Sequence, residues 1–162
     1  MFEGMKKILP LLLTAMLAAY NMNKGVSTLS ETTGSRYHVG NYYLFKSREF
    51  EPNAKLNVVK VEYLDKVGNI IHVRVDSVKI KTTEKPVEYS TVITHMPFSE
   101  AALESSGLKR IGEAKTIPDY QKGYNEWRTS FDEGKAGVFS IPVNRAVEYM
   151  EETMLKEHTV KQ

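Results

Sequence analysis

Two alternating runs on either side of one glycine turn constrain this chain most. In Leu56–Leu64, Val59, Val61 and Tyr63 fall on one side while Lys60 and Glu62 fall on the other. Asp65-Lys66-Val67-Gly68-Asn69 comes next, and then a returning run in which Ile71, Val73 and Val75 alternate with His72, Arg74 and Asp76. Successive strand side chains point to opposite faces. The spacing therefore predicts a β-hairpin with one apolar face, and Val61 and Val73 belong to its core. Past Asp76-Ser77 the apolar positions change parity to Val78 and Ile80. An inserted residue does this, so a bulge is expected inside a hairpin covering 56–80.

Other strands flank the hairpin. Tyr37–Phe45 is rich in aromatics and broken by Gly40, which suits a strand with a bend. Pro52 and Asn53 mark a loop, Thr82–Pro86 a turn, and Glu88–Met96 another strand with Tyr89, Thr91 and Ile93 on one side. The period then changes. Pro97 holds Met96 extended, Ser99 can cap a short helix over 100–106, and Gly107 can end it. Asp119 can open a second helix with Tyr120, Tyr124, Trp127 and Phe131 in one stripe, stopped by Gly134. Gly137–Ile141 suits a short strand, and Pro142 the first turn of a last helix that buries Val143, Ala146, Val147, Met150 and Met154. Strands first and helices afterwards give an α+β fold. The expected form is an antiparallel sheet of about four to five strands, with two to three helices from the C-terminal half packed on one face.

The N-terminal stretch speaks to location. Lys6 and Lys7 precede an apolar run, Ile8–Ala19, and a polar segment follows. That is the layout of a secretory signal peptide. The run is shorter than the roughly 20 residues of a membrane span. The expected organisation is a signal over 1–19, a flexible leader over 20–35, one domain over 36–155 and a frayed tail over 156–162. The expected location is the periplasm or the medium. With no cysteine in the chain, an exported domain must rely on packing, and thiol chemistry is excluded. A net charge of +2 makes no electrostatic case for nucleic acid.

Few residues suggest chemistry. His72, Arg74 and Asp76 share one strand face and could serve as base, anion clamp and orienting carboxylate. The simpler reading is a solvated face on which alanine at His72 or Asp76 is tolerated. The histidines, His38, His72, His95 and His158, show no metal-site spacing, although three strands could gather the first three. No metal and no cofactor are expected. No G-x-S-x-G nucleophile elbow occurs. Gly107–Gly112 has the outer spacing of a phosphate loop, but Glu113 stands where its lysine belongs. Gly134–Gly137 matches a nucleic-acid-binding GXXG loop, yet a helix end and turn cover it better. Aromatics are the remaining candidates. Tyr124 and Trp127 on the helical stripe, and Tyr42 and Tyr43 on the first strand, would bind a ligand or partner if exposed and fill the core if buried. The reading is an exported, non-enzymatic binding domain whose partner is another protein or an envelope component, an immunity or inhibitor protein being one version. The alternative is a small envelope hydrolase built on His72, Arg74 and Asp76.

Overall fold

The computed structural model describes residues 30–31 and 34–160; the expected signal segment, and the leader up to residue 29, lie outside the described residues. The chain runs β1 (Ser30–Glu31), β2 (Asn41–Leu44), β3 (Lys55–Leu64), β4 (Gly68–Glu84), β5 (Val87–Ser99), α1 (Glu100–Glu104), β6 (Lys109–Glu113), α2 (Gln121–Asp132) and α3 (Val143–Val160). The strands form an antiparallel sheet in the order β5-β4-β3-β2-β6, and the two-residue β1 also pairs with β3. The fold is α+β.

The central hairpin forms, but a bulge between Val58 and Lys60 interrupts the alternation of β3: Val58 enters the α3-side core, Tyr63 is exposed and Glu62 is buried. Leu64 pairs with Gly68, and the Val67 N–H donates to the Leu64 carbonyl at 2.9 Å. Gly68 takes φ +84°, a conformation that side chains with a Cβ resist, and this closes the turn. The expected bulge is present: pairing with β5 shifts between Asp76 and Ile80, and Ser77 has φ +60°. Ser99 caps α1 by accepting from the Ala102 N–H at 3.2 Å. At α2, Asp119 accepts from the Gln121 N–H at 3.0 Å, and Gly134 follows the helix at φ +69°. Gly137–Ile141 makes a single parallel bridge, Phe98 to Phe139, rather than a strand. β6 carries no amphipathic signal at all, because its one large apolar residue, Ile111, is exposed.

Both faces of the hairpin are covered. Ile71, Val73 and Val75 join Val58, Met96 and Phe98 beneath α1 and α3, which contribute Ala102, Leu103, Val143, Ala146 and Val147. Burying side chains of this kind stabilises by about 1.5–3 kcal/mol each. Ile70, one residue out of phase, turns the other way and packs with Leu64, Ala136 and Trp127 of α2. Alternation within a strand records one apolar face; it does not record that a later helix lies over the other. An ion cluster fastens the far half of α3. Arg48 bonds to both Glu51 and Glu151, and these carboxylates accept from the Lys79 and Lys81 N–H groups. α3 runs on through most of the expected tail, to Val160.

Candidate functional site

Beneath α2 the sheet brings together polar residues that lie far apart in sequence. Lys60 of β3 stands opposite His72 of β4, and Glu62 lies two residues further along the same face. β5 supplies His95 through a bulge. Met96 pairs with Val73 and Ile93 with Val75, so Thr94 and His95 together oppose Arg74 alone. The extra residue lets Ile93 and Met96 both enter the α3-side core. Thr94 and His95 then both lie against α2, close to Gly123.

Hydrogen bonds tie the group into a line. His72 Nδ1 lies 2.8 Å from His95 Nε2, and His72 Nε2 lies 3.2 Å from Glu62 Oε2. The Tyr124 hydroxyl donates to Glu62 Oε1 at 2.8 Å, and Lys60 Nζ reaches the same oxygen at 3.2 Å. The two imidazoles lie end to end and near-parallel, with centroids 5.1 Å apart, and the Trp127 ring meets His72 edge-on at 4.9 Å. Burial alone would raise the Glu62 pKa. Hydrogen bonds from His72 and Tyr124, with the positive charge of Lys60, outweigh it and hold the carboxyl at about 2. Burial lowers His72 more than Glu62 raises it, so this ring is neutral. Burial, and then His72, lower His95 to about 3.

Proton positions follow. An ionised carboxylate only accepts, so His72 carries its proton on Nε2 and accepts at Nδ1. His95 must then donate from Nε2, which leaves its Nδ1 as a bare acceptor. That nitrogen has no partner among the described residues. It is not among the fully buried side-chain N and O atoms without partners there, which are Asn57 Oδ1 and Asn69 Oδ1, and His95 as a residue is only partly buried.

His95 lines a cavity of about 380 Å³ between β5, α2 and α3. Trp127, Ile93, Phe139, Met150 and Met154 form most of its apolar wall. Glu126 also reaches it, but is exposed to water. Compared with known protein families, curated proteins and solved structures, the chain matches none. The site is therefore read from its own geometry.

The structure divides the residues singled out from the sequence. His72 is not on a solvated face: it is fully buried under α2, so a tolerated alanine is no longer expected there. It bonds to Glu62 and His95, whereas Arg74 bonds to Asp76 at 2.9 Å. The proposed base, clamp and carboxylate are thus not one group. Arg74, Asp76 and Tyr42 line a separate open groove with Lys55, whose ammonium stands 5.4 Å from the Tyr42 ring. Tyr43 is buried against Tyr37 in the α3-side core. Trp127 is buried and Tyr124 half-buried, so the stripe faces inward. His38 is exposed and apart, and among the described residues no group of His, Cys, Asp and Glu is arranged to hold a metal ion. Glu62 escaped sequence reasoning, and His95 entered it only beside His38 and His72, as one of three histidines that the strands could gather. Glu62 looked like one more outward charge, and a bulge gave His95 its direction.

Gly123 is the contact that lets α2 lie so close. A Cβ there would stand 2.8 Å from His95 Cβ, an atom fixed to the β5 backbone. Within a helix, glycine to alanine ordinarily stabilises by about 1 kcal/mol. Here the sign is expected to reverse. Gly123→Ala should destabilise by about 1–3 kcal/mol by lifting α2 from His95, as read from urea denaturation. A more stable variant would show that α2 does not bear on the histidine pair.

Proposed function

We propose that this chain is an exported, non-enzymatic binding domain and that its binding site is the cavity between β5, α2 and α3. One observation carries the reading: a largely apolar hollow of about 380 Å³ into which His95, the end of the hydrogen-bonded line from Glu62, is set, with Ser90, Thr94 and Glu126 as the other polar residues of the wall. Small-ligand sites have this character, with volumes of about 300–1,000 Å³, apolar walls and a few fixed polar groups. Export rests on the N-terminal residues Lys6 to Ala19. The expected partner, another protein or an envelope component, is joined by a small ligand as the occupant the cavity favours.

The hydrolase reading moves from Arg74 and Asp76 to His95, since the line from Glu62 leaves a basic nitrogen open. Basicity decides between the readings. A general base works best with a pKa near the operating pH, and burial holds His95 at about 3. Burial disfavours the imidazolium that proton removal would create, while the neutral ring keeps a lone pair that can accept a hydrogen bond. Binding is favoured.

Trp127 is the sole tryptophan and lines the cavity, so its fluorescence reports directly on the site. Titration with toluene should change that emission saturably and raise the melting temperature. A linear, non-saturating response with no thermal shift would remove the cavity as a binding site. Intact mass of protein from a periplasmic extract should begin at Tyr20; an uncleaved chain would count against export.

A further inference from the structure

We propose that the cavity takes a free, uncharged, mostly apolar molecule carrying one O–H or N–H donor, which hydrogen-bonds to Nδ1 of His95. This rests on the reading of the cavity as the binding site and adds the polarity of its ligand. That polarity is set at a distance, by Glu62. Each link has one permitted direction: the carboxylate accepts, His72 donates from Nε2 and accepts at Nδ1, and His95 donates from Nε2. Reversing the last link would set N–H against N–H across 2.8 Å. The free nitrogen therefore presents a lone pair.

The cavity wall supplies the rest of the description. Trp127, Ile93, Phe139 and the two methionines offer nothing to solvate a charge, and of the other polar lining residues Ser90 donates to the Val92 carbonyl while Thr94 and Glu126 are exposed to water. The nitrogen is neutral near neutral pH, because burial keeps its protonated form rare. A ligand without a donor would strip water from Nδ1 and return nothing, which selects against it. The volume comfortably exceeds the roughly 150 Å³ that holds a benzene ring. Simple phenols and alcohols fit these terms.

The test uses the full chain and two probes of nearly equal shape. p-Cresol has a donor; 4-methylanisole has the same ring and oxygen but none. Trp127 fluorescence should show p-cresol binding about tenfold more tightly, the value of one hydrogen bond to an otherwise unpaired acceptor. Nitrogen-15 spectra of labelled histidine should show both His72 and His95 protonated at Nε2. In the Glu62→Gln variant, the amide oxygen keeps Tyr124 and Lys60 while the amide nitrogen faces His72. Both imidazole protons then move to Nδ1, and the preference for p-cresol should close to within about twofold, since N–H can donate to either oxygen. Equal binding of both probes to the wild type, or His95 protonated at Nδ1, overturns this inference and leaves the binding reading in place. Failure of both probes and of toluene to bind overturns the binding reading itself. If the variant fails to fold, the wild-type tautomer and the wild-type probe ratio still decide.

Discussion

Replacing Glu62 with alanine is expected to lower stability by about 3 kcal/mol, more than most single substitutions achieve. The loss comes from what is left behind. His72 is fully buried, and its Nε2 proton has Glu62 as its acceptor. The Tyr124 hydroxyl donates to the same carboxylate, and Lys60 loses its counter-charge while three-quarters buried at its side chain. Each unsatisfied buried donor costs about 1–3 kcal/mol. Lys60 adds less, because it can turn toward water. Glutamine separates charge from hydrogen bonding. It can accept from Tyr124 and meet His72 with its amide, so its cost should be nearer 1 kcal/mol. Urea denaturation of the two variants beside wild type reads the difference. An alanine variant within 1 kcal/mol of wild type would mean that the network does not support the fold.

The residues explain why the sheet was legible and the site was not. Val61, Ile71, Val73 and Val75 carry their own record, because period-two alternation is local and one parity meets the α3-side core. The bulge at Ser77 was legible for the same reason: it shifts that parity within the chain. Ser99, Gly107 and Gly134 likewise act on neighbouring backbone, and their caps and positive φ values appear where expected. Glu62 and His72 have no local signature. Both sit on the parity that a two-layer sheet would give to solvent, and only α2, some fifty residues later, makes that side an interior. The aromatic stripe was the available hint: a helix that buries Trp127 needs a surface to bury it against, and β4 presents Ile70 and His72 there. His95 was hidden twice over, by distance and by the β5 bulge. β6 left no trace because edge pairing uses backbone groups, which every sequence has.

Acid should unfold this domain earlier than its carboxylates alone would. In the unfolded chain His72 and His95 take up protons near pH 6.5, whereas in the fold His95 resists until about pH 3 and His72 is lowered as well. Between those values the unfolded state binds more protons, so stability falls as pH falls. The contribution is complete above about pH 6.5 and drains away toward pH 3. Glu62 acts lower down: its carboxyl sits at about 2 in the fold against 4.5 in the unfolded chain, so its contribution holds above pH 4.5 and is lost toward pH 2. The window from 6.5 to 4.5 therefore isolates the histidines from Glu62. Each pH unit there costs up to about 1.4 kcal/mol for one fully resisting histidine, so His95 alone should remove up to about 3 kcal/mol by pH 4.5. The geometry sharpens the effect. A first proton at His95 Nδ1 leaves the His72 bond intact, but a second, on His72 Nδ1, opposes two N–H groups and breaks the pair. Unfolding free energies at pH 7.5, 5.5 and 4.5 measure the slope. In His95→Gln the amide can still donate to His72 but cannot titrate, so the decline should become shallower by about half. A wild type equally stable at pH 7.5 and 5.5, or a variant as steep as wild type, would show that the buried pair does not govern the response to acid.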